Sequence, residues 1–311
     1  MPLISILMPA FNAEKFLDIA IQSILDQSFE DYELILINDG SNDKTLTIFE
    51  KWKKLDKRVI IDSHENMGMG ASLNSAMKNA QGEIICRMDA DDVMHPTRLQ
   101  KQFEYLELHP EITVVSCLAN YIDETGRILG KTFSDIITKE DCDRYFQSNE
   151  PIGLFHPGTM FRKKPIIEAG GYRGKFWPAE DIDLWNRIVE KGYFSVVLQE
   201  LLMDYRIHGS SSITSSFVKS RIQYEWVRDC MWKRRKGEKE LDRDQFLKKY
   251  NDISILKMLN KKRKLYAKYF YRTSGFNFAS KKFHLFFFQL IFSFFLQPKY
   301  VLLKILRQIK L

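Results

Sequence analysis

A chain of 311 residues, 45% apolar and 13% aromatic, is long enough for a main domain with an appendage and too apolar for compositional disorder. Its four cysteines, Cys86, Cys117, Cys142 and Cys230, never come within CxxC spacing, which argues against a zinc site or a disulfide framework and fits a reducing compartment. The net charge of +7 divides sharply, for residues 1–216 carry 23 Lys+Arg against 33 Asp+Glu and residues 217–311 carry 24 against 7. Two domains with different partners are expected, 1–216 for the chemistry and a basic 217–311 that meets something anionic.

Residues 1–5 enter an apolar stretch with no basic region or cleavage site, so no export signal is expected. The spacing then predicts a strand over Ile4–Met8, a helix over Glu14–Asp26 and a second strand over Leu34–Ile37. A helix from Asn42 to Lys54, a strand over Val59–Asp62 and a helix over Gly68–Asn79 follow. Gly82 stands where a helix-ending glycine is expected, ahead of a fourth strand over Glu83–Met88. From 112 to 208 the pattern is mixed, with strands near 112–118 and 194–198 and helices near 138–147 and 180–191. From 217 onward it is helical, with basic clusters at 233–236 and 261–264.

Strands alternating with helices predict a parallel sheet covered on both faces, with the ligand beyond the carboxyl ends of its strands. The turns at those ends read Pro9-Ala10-Phe11-Asn12, Asn38-Asp39-Gly40-Ser41, His64-Glu65-Asn66-Met67-Gly68 and Asp89-Ala90-Asp91-Asp92. No GxGxxG follows the first strand and no P-loop signature occurs, which disfavours a dinucleotide enzyme or a P-loop NTPase.

Three carboxylates in the four residues Asp89 to Asp92 repel one another unless a cation offsets them. Hard oxygen ligands of this kind suit Mn²⁺ or Mg²⁺ shared with phosphate oxygens. The alternative is an acidic turn that caps the helix starting near Pro96. Asp39 can accept from a uracil or thymine N–H or a ribose hydroxyl, or belong to an ordinary Asp-Gly turn. Asn66 and Gly68 offer an amide and a close backbone approach at a helix start, suited to a phosphate or a base. Glu180-Asp181 opens an amphipathic helix between Trp177 and Trp185. The pair is either acid favoured by the helix dipole or a carboxylate base facing an acceptor sugar on which the two rings stack. His208 reads as a strand-end histidine, or as a metal or pyrophosphate ligand with the serine-rich stretch after Gly209 as a lid.

Together these segments resemble the inverting glycosyltransferase family two, of the GT-A fold and the bacterial surface-polysaccharide type. ISILMPAFN (residues 4–12) is similar to its opening strand and turn, LILINDGSNDKT (34–45) to its Asp-Gly-Ser segment, Asn66 to Asn74 to its donor helix, and GEIICRMDADD (82–92) to its DxD motif. His156-Pro157-Gly158, Gly170-Gly171-Tyr172, AEDIDLW (179–185) and Tyr205 to His208 are similar to its acceptor half and closing element. The resemblance implies an α/β, Rossmann-like mixed sheet flanked by helices. It also implies inverting, single-displacement transfer from a UDP-sugar, or a dTDP-sugar, to a hydroxyl of a glycan or polyprenyl-linked oligosaccharide. Carried over by position, Pro9, Phe11, Asn12, Asp39, Asn66, Asp89 and Ala90 would bind the donor nucleotide, with Asp39 at the base and Asp89 at the ribose. Asp91 with His208 would hold Mn²⁺ or Mg²⁺ on the diphosphate, Asp181 would be the catalytic base, and Glu180 would order the acceptor. Similar proteins often carry an arginine one residue before the position of Asn74; here it is Leu73, and Arg87 is the substitute considered.

The basic region ends in a 14-residue apolar run, Phe283 to Leu296, bracketed by lysines. That is short of the ~20 residues needed to cross a bilayer. It predicts an amphipathic, interfacial anchor on anionic lipid, hence a cytoplasmic enzyme peripheral on the inner face of the membrane, with a packed helical appendage or a dimer interface as the alternative. Two rival functions are a nucleotidyltransferase, which would release pyrophosphate, and a nucleic-acid-binding tail. Aromatic clusters and long apolar runs disfavour the second.

Overall fold

The computed structural model describes residues 2–208, 217–252 and 254–309. The serine-rich stretch read as a lid lies outside these residues. The first part alternates as expected: β1 (Ile4–Ala10), α1 (Leu17–Leu25), β2 (Tyr32–Asp39), α2 (Thr45–Leu55), β3 (Val59–His64), α3 (Met69–Asn79) and β4 (Ile84–Arg87). β1 and β2 are buried at every position, which explains their continuous apolar runs, since both faces of a parallel sheet are covered. These four strands pair in parallel in the order β3-β2-β1-β4. The chain therefore builds β2 and β3 on one side of β1 and returns to place β4 on the other, and a crevice opens beyond the carboxyl end of β1 at that reversal.

The sheet then turns mixed. β8 (Met160–Arg162) runs antiparallel to β4 and to β6 (Ile112–Ile122). β6 pairs in parallel with β9 (Phe194–Arg206), which carries the short β5 (Val93–Met94) on its far side, and β7 (Ile128–Lys131) forms a hairpin with β6. The helices α4 (Arg98–Leu108), α5 (Lys139–Gln147), α6 (Lys163–Glu168) and α7 (Glu180–Glu190) flank it. The two-residue period of a strand divides the core. Ile4, Ile6 and Met8 pack with Leu17, Ile21 and Ile24 of α1, while Leu7, Ile35 and Ile37 pack with Leu73 and Met77 of α3 and Leu184 of α7.

Two local expectations change. α1 starts at Leu17, three residues late, because the Ala13 and Glu14 N–H groups donate to Thr45 Oγ1 (2.9 Å) and Asp43 Oδ2 (3.1 Å) across the crevice. Gly82 does not end a helix, since α3 stops at Asn79 with Ala80 after it. It is there for close approach: a Cβ would lie 2.7 Å from the Ser5 nitrogen, and its N–H donates to Ser5 Oγ at 2.8 Å.

After the sheet come α8 (Phe217–Arg235), α9 (Arg243–Asn251), α10 (Ile255–Ala279), α11 (Phe283–Leu296) and α12 (Pro298–Ile309). Trp226 and Val227 of α8 and Phe246 of α9 bury Phe176 and Ala179, the residues leading into α7. α10 and α11 form a hairpin in which Ser293 Oγ donates to the Ala267 carbonyl (2.7 Å) and Asn277 Nδ2 to Gln289 Oε1 (2.8 Å). α10 touches the sheet through Phe276, whose ring meets Tyr121 edge-on at 5.7 Å. Among the described residues no helix is long and apolar enough to cross a membrane.

Candidate active site

The crevice beyond β1, β2 and β4 gathers most of the predicted residues. Pro9 is buried within β1 opposite Ile37. Asn12 takes a positive φ of 51°, so its backbone N–H reaches Ser41 Oγ (3.1 Å) and its Oδ1 accepts from the Asn42 N–H (2.8 Å), while the Phe11 ring stays exposed. Asp39 ends β2 with its carboxylate buried: Oδ1 accepts from the Met67 N–H (2.7 Å) and Oδ2 from the Gly68 N–H (3.1 Å). Asn66 Nδ2 returns a bond to the Asp39 carbonyl (2.9 Å). Gly40, at φ +73°, lies so close to Asn66 that a Cβ would fall 2.6 Å from its nitrogen. Asp39 therefore fixes the turn before α3, with one lone pair left on each oxygen.

The acidic turn after β4 is held from three sides. Asp89 pairs with Arg87 at 2.6 Å. Nε2 of His208 lies 2.8 Å from Asp91 Oδ2. Asp92 accepts the Arg206 backbone N–H on Oδ1 (2.9 Å), and its buried Oδ2 has no partner among the described residues. Arg206 Nε also donates to the Asp91 carbonyl (2.8 Å) while its guanidinium lies over Phe16. Ala90 is buried between its acidic neighbours. One oxygen each from Asp89, Asp91 and Asp92 lies within 4.8 Å of the others. Burial, then the charges of Asp91 and Asp89, push Asp92 well above the ordinary carboxylate range; burial also raises Asp89 against the pull of Arg87. Three crowded oxygens and an orphaned buried one fit a hard divalent cation, which would relieve both the repulsion and the missing partner. The turn does not cap α4, for β5 and Pro96 intervene and Thr97 precedes the first helical residue.

The first turn of α7 supplies the carboxylates that share this crevice. Glu180 is only 4% exposed, with Oε2 unpartnered among the described residues, whereas Asp181 is half-buried and reachable. Burial first, then the Asp181 charge, pushes Glu180 up to about 7, and burial pushes Asp181 up to about 6. Arg87 favours the charged form of both and sits beside the buried pair His156 Nε2 and Tyr172 Oη, 2.9 Å apart. Asp183 is sequestered: fully buried, it is paired with Arg173, Arg187 (2.9 Å) and Arg234 (3.7 Å).

The two tryptophans part company. Trp177 is partly exposed, with Lys219 Nζ 3.8 Å from its ring centroid. Trp185 is 0% exposed and packs against Phe161 and Tyr172 in the core, so the expectation that it stacks on an acceptor is corrected. At helical spacing from Asp181 an aromatic residue falls on the face turned to the sheet, and burial of that face decides its place.

Three arginines carry more of the site than the sequence suggested. Arg87 is 2% exposed, its Nε and Nη1 lack partners among the described residues, and its Nη2 lies 3.3 Å from Met69 Sδ at the start of α3. Arg206 braces the acidic turn, and buried Arg98 donates to the carbonyls of Arg87 (3.0 Å) and Thr159 (3.3 Å) beneath it. The available signal was the position of Arg87, two residues before the first aspartate of the turn.

Residues 5–170 match Glycosyl transferase family 2. The chain belongs to this family. The O-antigen biosynthesis glycosyltransferase WbnJ of Escherichia coli is 32% identical over 242 residues, covering 75% of this chain and 90% of the relative. Two solved structures share the fold. The mannosyltransferase PcManGT of Pyrobaculum calidifontis, in complex with GDP-Man and Mn²⁺, aligns with TM-score 0.56 at 16% identity over 78% of this chain and 66% of its own. TarS 1–349 of S. aureus, in complex with UDP-GlcNAc, aligns with TM-score 0.56 at 15% identity over 96% of this chain and 92% of its own. The fold is thus GT-A-like and the protein is a glycosyltransferase, which sets aside the nucleotidyltransferase reading. Within this family-two chain Leu73 is a core residue, 1% exposed, and makes no polar contribution to the crevice.

Proposed function

We propose that the protein transfers a sugar from a nucleotide diphosphate donor, with UDP favoured over dTDP, to a glycan hydroxyl in surface-polysaccharide synthesis, with inversion at the sugar carbon. The observation that carries this reading is the three-carboxylate turn sharing one crevice with the half-buried Asp181. WbnJ supports the pathway class by its name, and the two ligand complexes support a nucleotide-sugar donor and Mn²⁺. A cation held by Asp89, Asp91 and Asp92, with His208 at Asp91, would offset the diphosphate charge; Mn²⁺ and Mg²⁺ both suit these oxygens. Arg87, buried beneath the acidic turn and paired with Asp89, supplies a second fixed positive charge close to the diphosphate, in place of the arginine that Leu73 replaces. Pro9, Phe11, Asn12, Asp39 and Asn66 shape the nucleoside side, and Asp39 offers its remaining lone pairs to the base. Asp181 takes the acceptor proton as the glycosidic bond forms, Glu180 orders the acceptor, and Trp177 is the ring available to it. A panel of nucleotide sugars with Mn²⁺, assayed for hydrolysis and for the anomer formed, tests the reading; retained configuration counts against it.

The environment of Asp181 sets a pH dependence. The group works only when deprotonated, and burial has moved its ordinary value up to about 6. Activity is therefore expected to rise with pH through about 6 and level off above it. A rate that stays flat down into the ordinary carboxylate range, in protein still folded, removes Asp181 from the proton transfer.

We further infer peripheral attachment to the inner face of the cytoplasmic membrane, with no role for nucleic acid. α11 packs on α10 along one side and leaves Phe287, Phe288 and Phe295 exposed on the other, with Lys281, Lys282 and Lys299 at its ends. At ~1.5 Å per residue such a helix suits the interface and not a span. Serine at Phe287, Phe288 and Phe295 together is expected to abolish sedimentation with phosphatidylglycerol vesicles while binding of UDP with Mn²⁺ persists. Undiminished sedimentation would refute the anchor.

A further inference from the structure

A cleft of about 630 Å³ lies between the start of α7 and the C-terminal helices, outside the crevice that holds the acidic turn. Pro178, Ala179 and Ile182, which flank Asp181 in the chain, form one wall. The other carries four cations, Arg221 of α8, Lys268 and Arg272 of α10 and Lys304 of α12, together with Tyr224, Tyr271 and Tyr300. Arg221 is paired with Glu225 at 2.7 Å, but among the described residues Lys268, Arg272 and Lys304 have no carboxylate partner. The helices that carry these three offer none: residues 253–311 contain 13 Lys and Arg and no Asp or Glu. Cations converging on one concave surface repel one another, and with no carboxylate paired to Lys268, Arg272 or Lys304 among the described residues this side of the cleft is complementary to an external anion. Tyrosine hydroxyls beside fixed ammonium and guanidinium groups are the donors that phosphate oxygens take up.

We propose that this cleft is an acceptor subsite that binds the phosphate or diphosphate joining the acceptor glycan to its lipid. The anion sits among Lys268, Arg272 and Lys304, the adjoining sugar reaches Asp181 past the Pro178–Ile182 wall, and the lipid leaves along the apolar helices α11 and α12. The inference rests on the reading of Asp181 as the acceptor-side base, and it adds the charge by which the acceptor is chosen. A neutral glycan without its phosphate then becomes a poor acceptor, through KM more than kcat.

The test uses the full chain in excess chelator, so that the acidic turn does not compete for the probe. Geranyl diphosphate is expected to bind wild type, geraniol to bind about tenfold or more weakly, and inorganic pyrophosphate to compete with geranyl diphosphate. Lys268→Gln/Arg272→Gln is expected to weaken geranyl diphosphate by about tenfold or more, with Lys268→Arg/Arg272→Lys restoring most of it. Equal binding of geraniol and its diphosphate, or unchanged affinity in the Gln variant, overturns the proposal. So does a Gln variant that loses only phosphatidylglycerol vesicles, for the cations would then form a membrane patch. Binding of UDP with Mn²⁺ is measured separately: it reports folding of the variants and decides the donor-site reading independently of the cleft.

Discussion

Asp181→Asn is expected to lower kcat by about 10²–10⁴-fold while leaving the affinity for UDP with Mn²⁺ unchanged, the range typical of a positioned general base. Three observations single out this carboxylate. Glu180 is buried deeper, 4% exposed, and so is less open to an incoming hydroxyl than Asp181. Asp183 is locked by Arg173, Arg187 and Arg234 and has no open oxygen. Asp181 is reachable, and burial raises it to about 6, which makes it a stronger proton acceptor than an ordinary aspartate yet still ionised at neutral pH. Asparagine keeps the shape and removes the basicity. The measurement is transfer with the donor that the nucleotide-sugar panel selects, and a variant within a few-fold of wild type would move the search to Glu180.

The second large effect belongs to Asp91. Asp91→Asn removes one charge from a cluster whose oxygens lie within 4.8 Å of each other and leaves His208 Nε2 facing an amide. A cation held there would contribute several kcal/mol of charge stabilisation to transfer, so a loss of at least about 10³-fold in transfer is expected. UDP binding in Mn²⁺ should weaken alongside, which distinguishes this variant from Asp181→Asn. Full transfer by wild type in excess chelator would defeat the metal assignment, whatever the variant does.

Much of this site was legible in the sequence because a parallel sheet converts linear order into position. The four turns of residues 9–12, 38–41, 64–68 and 89–92 arrive at one crevice simply because each follows a strand of the same sense. All four cysteines, whose spacing argued against a disulfide framework, are buried free thiols. What escaped depends on which face of an element is covered. Trp185 is apolar, and at helical spacing from Asp181 it is equally compatible with core and with site; only the packing of Phe161 and Tyr172 on it decides. Gly82 resembled a helix stop, yet its requirement comes from Ser5, a residue 77 positions away. Arg87 and Arg206 drew little weight because single arginines carry no period and no spacing. Their value appears only when two stretches 115 residues apart, such as Arg206 and the Asp91 carbonyl, are brought together.

The seat of Phe176 and Ala179 against Trp226 and Phe246, reinforced by Glu240 pairing with both Arg173 and Arg234, has a consequence for chimeric enzymes. The loop that leads into Asp181, the proposed base, packs against helices that come after the family-matched residues 5–170. Exchanging the segment after residue 216 with that of a homologue would graft a foreign mould onto the loop and shift Asp181, and if Asp181 is the base, a displacement of about an angstrom is one that reactivity tolerates poorly. Residues 173–179 and 217–251 are therefore a single transplantable module, interrupted in the chain but continuous in space.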